Sequence, residues 1–249
     1  MAANIRFLYD FDNDSATITS SSEVSTLPDD NVVNDLLGKK WRTTGDSSEW
    51  IKFDLGSAKQ IKEVGIFGHN LTSGATVTLE ANATDDWASP SYQTTLTYNA
   101  DRIVKFLDET YRWWRITFAD ASNPDGYIEV GRIVMGSYFE PSYNITNDFN
   151  RSLIDPSEAD VTDGQQTYWR VRTKYWKYTV RFRLIPVSEQ DNFETMFASI
   201  GNTEPVVVSL DPDTYPSKWS IYAQMSTPLN MAMTLLDYAD LELEFEEKL

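Results

Sequence analysis

Alternation of apolar and polar positions dominates the chain. In EWIKFDLG, Ile51, Phe53 and Leu55 fall on one face of a strand. Val64 and Ile66 fall on one face of the next, with Gly56 and Ser57 as the break between them. Upstream, NIRFLYDFDND reads as a first strand through Ile5, Phe7 and Tyr9, followed by the polar run TITSSSEVST. Downstream, ATVTLEAN alternates Val77, Leu79 and Ala81 against Thr and Glu, the pattern of an antiparallel strand with one wet face. Residues 84–95 read as a long loop carrying Trp87, Pro90 and Tyr92, and the chain then runs into a strand around Trp113 and Trp114. Short strands between turn signals, without a long helix, predict a sandwich or jelly roll.

The pattern changes character after Gly136. SYFEPSYNITND carries a proline and opens a new strand series, which predicts domains over 1–138 and 139–249. YWKYTVRFRLIP puts Trp176, Tyr178, Val180, Phe182 and Leu184 on one face, and Lys177, Arg181 and Arg183 on the other. SEQDNFETMFASIGN reads as the one helix, about residues 188–200. Ser188 is its N-cap, Phe193, Met196, Phe197 and Ile200 form its apolar stripe, and Gly201 is the stop. PVVVSL, KWSIYAQM, PLNMAMTLL and LELEFEE complete a β-rich second domain.

Two blocks carry a family resemblance. WRTTGDSSEWIKFDLGSAKQIKEVGIFGHN (residues 41–70) and YRWWRITFADASNPDGYIEVGRIVMG (residues 111–136) resemble the discoidin-type, galactose-binding-like domain. The second block matches that family's closing hairpin. The resemblance implies an N-terminal jelly-roll β-sandwich that binds through loops at one end, and a binding module in preference to an enzyme. The strand–helix–strand order of the second half resembles the β-sandwich-plus-helix domains of tailed-phage tail proteins. In distal tail proteins the ring-forming domain usually comes first, the reverse of the order here.

Charge and composition narrow the partners. The formal net charge is −17, shared between the halves: residues 1–140 hold 12 Lys and Arg against 21 Asp and Glu, and residues 141–249 hold 9 against 17. Such a surface repels phosphate backbones, so no nucleic-acid partner is expected. No apolar run approaches the ~20 residues of a bilayer span, and the N-terminus has no signal-like apolar core. No membrane insertion is expected. With no Cys, the fold needs no oxidising compartment.

Candidate chemistry is mostly excluded. Thiol catalysis needs a Cys, and a multi-His metal site needs more than His69, the single histidine. His69 follows a predicted strand, where a structural imidazole is the expected reading. The Asp10, Asp12, Asp14 spacing invites calcium, but neither the turn Gly nor the closing Glu of such a loop follows. A solvated acidic turn is expected, with no metal and no cofactor. Binding candidates are Trp41 with its TTGDSS loop (or a core anchor, the competing reading) and the loop pair Trp87 and Tyr92. Seven of the nine cations of the second half lie between Arg151 and Arg183. Arg170, Arg172, Lys177, Arg181 and Arg183 are the candidate interface, facing solvent or meeting the acidic LELEFEE of a neighbouring copy.

The combined expectation is a non-enzymatic virion protein of a phage tail or tail tip, made in the host cytoplasm. It would form a homo-oligomeric ring (trimer or hexamer), contact other phage tail proteins, and present its first domain to a host surface glycan. The alternatives are a free-standing carbohydrate-binding, lectin-like protein and an accessory pair of a glycan-degrading enzyme.

Overall fold

The computed structural model describes residues 4–249, and the chain divides into two compact units. Unit 1 is residues 1–140 together with Ser209–Ser220, and unit 2 is Pro141–Val208 with Ile221–Leu249. The fold is mostly antiparallel β, with a single α-helix among the described residues. Sequence alone gives the whole of 139–249 to the second domain, whereas Ser209–Ser220 clusters with the first unit.

Among the described residues unit 1 holds the strands β1 (Arg6–Leu8), β2 (Thr17–Ser20), β3 (Trp41–Arg42), β4 (Glu49–Phe67), β5 (Thr76–Asn82), β6 (Tyr92–Leu96), β7 (Arg102–Ala119), β8 (Glu129–Val130) and β9 (Arg132–Gly136). The main sheet runs β2-β4-β7-β5-β6, with β9 also on β4, and β3 pairs with β8. The two runs expected on either side of Gly56 are one 19-residue strand, bent where its register with β7 shifts between Asp54 and Lys59. Gly56 takes φ 75 there, and its N–H donates to Asp54 Oδ1 at 2.9 Å.

The expected closing hairpin is not a hairpin. β7 and β9 each pair with β4, on its opposite edges, so that Glu63–Phe67 has neighbours on both sides. The last residue of β9 is a glycine where the chain of Asp10 passes close by: a Cβ on Gly136 would meet the Asp10 carbonyl oxygen at 2.4 Å.

The inner face follows the period of two. Ile51, Phe53, Val64, Ile66, Val77, Leu79, Trp114, Ile116 and Phe118 are buried in one core with Trp41 and Ile133. Each large side chain fully buried in this way contributes about 1.5–3 kcal/mol.

Unit 2 holds β10 (Asn150–Ile154), β11 (Glu158–Val161), β12 (Thr167–Arg170), β13 (Tyr175–Pro186), α1 (Val187–Ile200), β14 (Pro205–Ser209), β15 (Ser220–Met225), β16 (Met231–Leu235) and β17 (Tyr238–Glu247). The order β14-β15-β17-β13-β10 makes the sheet, β16 pairs with β17, and β11–β12 is a separate two-stranded hairpin. Tyr178, Val180 and Phe182 of β13 face the core as expected, but Leu184 does not. The register shifts between Phe182 and Ile185, Leu184 takes φ 54, and Ile185 is buried in its place. α1 begins one residue before the expected cap. Pro186, extended at φ −70 and ψ 154, is the N-cap, and Ser188 lies inside the first turn. Phe193, Met196 and Ile200 are buried, Phe193 edge-on to Phe182 at 5.1 Å, and Gly201 ends the helix.

Candidate functional site: the outer sheet face of unit 1

The three sequence-predicted aromatics part company. Trp41 is 0% exposed, packs on Phe118 at 6.0 Å, and donates from Nε1 to the Ser22 carbonyl at 3.0 Å. It is a core anchor, and no ligand can reach it. Tyr92 pairs with Ala81, so it lies on the inner phase of the sheet edge, 6.4 Å from the Trp114 ring. Burial, reinforced by Glu109, raises its hydroxyl pKa. Trp87 alone turns to the outer side. Its indole N–H donates to Asp85 Oδ1 at 2.5 Å, and the Arg115 guanidinium lies 4.6 Å from its ring centre.

Trp87 belongs to a larger arrangement on the wet face. Inward Ile51 and Phe53 force Trp50, Lys52 and Asp54 outward on β4. Inward Trp114 and Ile116 likewise force Trp113, Arg115 and Thr117 outward on β7. Register then sets Lys52 opposite Arg115, Asp54 opposite Trp113, and Glu80 of β5 opposite Arg115. Lys52 Nζ stands 5.2 Å from the Trp50 ring centre and 5.8 Å from that of Trp113. Arg112 lies 5.5 Å from Trp113. Trp50, Trp87 and Trp113 are all half-buried.

Each cation is also tied to a carboxylate. Lys52 bonds Asp85 at 2.9 and 3.0 Å, Arg115 Nε donates to Glu80 Oε2 at 2.6 Å, and Arg112 holds Asp54 through two bonds at 2.6 and 2.8 Å. Bonding to Lys52 lowers the Asp85 pKa, and bonding to Arg112 lowers that of Asp54. Three cations and three carboxylates leave the face locally neutral.

The loop end beside Trp41 is closed by its own polar groups. Arg42 lies 4.2 Å from the Tyr127 ring and pairs with Glu129, which also takes Lys40 at 3.1 Å. Asn70 donates to Asp125 at 2.9 Å. His69 is mostly buried, which lowers its pKa, and Nδ1 accepts from the Leu71 N–H at 3.3 Å. In the acidic N-terminal turn, Asp12 pairs with Lys59 at 2.8 Å and Asp14 with the fully buried Arg132 at 2.7 Å.

In unit 2 the candidate cations have partners within the chain. Lys177 pairs with Glu244 at 3.0 Å and Glu246 at 3.3 Å, and Arg181 with Glu242 at 2.5 Å, all acids of the LELEFEE strand. Arg183 lies 3.7 Å from Asp148, and Arg170 and Arg172 each lie 3.3 Å from Glu158. The pairs of Lys177 and Arg181 with LELEFEE form within one chain because β17 is the sheet neighbour of β13, while Arg170, Arg172 and Arg183 pair elsewhere. The exposed groups that sequence reading missed are apolar. Val161, Tyr168, Trp169 and Val171 stand out on and beside the β11–β12 hairpin, with Trp169 65% exposed. At the other end of β13 are Leu184, Val187, Leu235, Tyr238 and Leu236, the last 88% exposed.

Comparison with known proteins finds no matching family model and no matching curated protein. Among solved structures the chain is similar to chitosan-binding module 1 of a chitosanase/glucanase from Paenibacillus sp. IK-5. Identity there is 17%, covering 53% of this chain and 100% of that one, with TM-score 0.43. It is also similar to the family 32 carbohydrate-binding module of C. perfringens NanJ, solved with galactose (14%, 53% and 100%, TM-score 0.42). A third is CpGH89CBM32-5 from Clostridium perfringens, solved with GalNAc-β-1,3-galactose (10%, 51% and 100%, TM-score 0.43).

Proposed function

We propose that this chain is a non-enzymatic adhesion protein whose first unit binds glycan and whose second unit mediates assembly with further copies. The observation that carries the glycan reading is Trp87, a tryptophan on the outer side of the sheet, fixed between Asp85 and Arg115. An oriented, half-exposed indole with charged hydrogen-bonding groups around it suits a sugar ring, which is apolar on one face and hydroxylated at its rim. Trp87→Ala is expected to lower affinity for a bound oligosaccharide at least tenfold without changing the melting temperature. A glycan array followed by calorimetry on the best ligand measures it, and an unchanged affinity would count against the reading.

A specific observation favours assembly: the two exposed apolar patches of unit 2 lie at opposite ends of one strand, so a patch on one copy can meet the other patch on the next. Closed into a trimer or hexamer, this is the arrangement of a ring in a phage tail or tail tip, with a host surface glycan and other tail proteins as its partners. Light scattering behind size exclusion is expected to give a discrete oligomer that Trp169→Glu and Leu236→Glu each dissociate. A monomer across the whole concentration range would instead favour a free-standing lectin.

A further inference from the structure

We propose that the open face of the β2-β4-β7-β5-β6 sheet is the binding surface for an uncharged sugar chain, with Trp50, Trp113 and Trp87 as its stacking groups. This rests on the glycan-binding reading above. It narrows that reading to one face, away from the loop end, and to one class of ligand.

The face is unusual in what it exposes. An antiparallel sheet with one wet side normally carries Thr, Lys and Glu there, and this one does so at Thr17, Thr19, Thr78 and Thr117. Trp50 and Trp113 stand among those positions with Trp87 on the β5–β6 loop beside them, and none of the three belongs to the core. They are also held still. Lys52 stands against both Trp50 and Trp113, and Arg115 against Trp87. Each of these cations is fixed from the other side by a carboxylate. Indoles already ordered lose little freedom when a ligand stacks on them, which removes a usual cost of binding.

Charge selects the ligand. Lys52, Arg112 and Arg115 are matched by Asp85, Asp54 and Glu80, so the face offers no net attraction to an ionised sugar. The chain as a whole carries −17, which repels a uronate or a sulfated glycan at longer range. A polycationic sugar would be drawn to the acidic surface generally and would need no indole. What remains favourable is dispersion against the apolar face of a pyranose, with hydroxyls bonding to the Lys and Arg N–H groups and the carboxylate oxygens. Trp50 and Trp113 share the single ammonium of Lys52, so one oligosaccharide reaches both.

The test uses the full chain with cellohexaose, mannohexaose and β-1,4-galactohexaose as neutral probes, hexagalacturonate as the anionic probe and a chitosan hexamer as the cationic one. Binding is read by calorimetry and by tryptophan fluorescence. At least one neutral hexaose is expected to bind and shift the emission. Trp50→Ala and Trp113→Ala are each expected to lose tenfold or more, and Arg42→Ala at the loop end is expected to change nothing. Should either tryptophan variant fold poorly, Thr19→Arg serves in its place, laying a long side chain beside Lys52 from the edge strand. Neutral-sugar binding that survives the Trp50 and Trp113 substitutions but is lost in Arg42→Ala would overturn the face assignment and leave the glycan reading standing. Binding confined to hexagalacturonate or the chitosan hexamer would overturn the ligand class. Binding of none of the five would overturn both, and would point to a protein surface seated on these indoles.

Discussion

Glu63 is wholly buried in β4, with Ser209 Oγ 3.4 Å from one carboxylate oxygen and no hydrogen-bond partner among the described residues for the other. Burial raises its pKa from 4.5 to about 8, against an opposing pull from Arg6. In the unfolded chain this group ionises near 4.5, while in the fold it keeps its proton to about 8. Between those values the folded state binds the extra proton, so this group's contribution to stability is complete below pH 4.5 and is lost as pH rises through 8. Thermal melts from pH 4 to 9 are expected to show that decline, and Glu63→Gln is expected to flatten it. An identical slope in the variant would remove Glu63 as the cause. Glu63 also shows where a residue-level reading fails. Alternation puts Val64 and Ile66 in the core and Glu63 on the opposite face of β4, where Ser209, far along the chain, lies over it. Leu184, expected inside and found outside, fails for a different reason, the register shift in β13 between Phe182 and Ile185.

At the scale of elements, most of the strands were legible because they obey a period of two that needs no knowledge of neighbours. The runs through Ile51, Val77, Val180 and Leu243 all lie where alternation puts them, and so does the helix ending at Gly201. Pairing was not legible. Nothing local says that β4 lies between β7 and β9, or that LELEFEE is the partner of the Arg-bearing strand. Charge segregation along the chain, from which a seam between copies is expected, also gives cross-strand ion pairs at Lys177 and Arg181 within one sheet. The tryptophan face was half visible: the alternation that buries Ile51 and Trp114 exposes Trp50 and Trp113. Bringing them together around Lys52 requires the register of two strands about sixty positions apart, which sequence pattern alone does not contain.

For the whole molecule, the division into units is not a division of the sequence. Ser209–Ser220 contributes Ser217 Oγ to the Val104 N–H at 3.0 Å, and the Ser220 carbonyl to the buried Arg102 at 2.6 Å. A chain ending at residue 140 lacks both, and each lost partner of a buried group costs about 1–3 kcal/mol. Hydrogen exchange over residues 102–106 is expected to be faster in that truncation than in the full chain. Equal protection would show that the first 140 residues are self-sufficient.

The same interleaving bears on how the protein is made. A ribosome delivers unit 1 in two instalments, and at about 5–20 residues per second the second arrives several seconds after the first. During that interval the β7 amide of Val104 and the guanidinium of Arg102 wait without the Ser217 and Ser220 groups that later meet them. Final closure of the N-terminal unit is therefore a late event of synthesis, gated by residues near position 220.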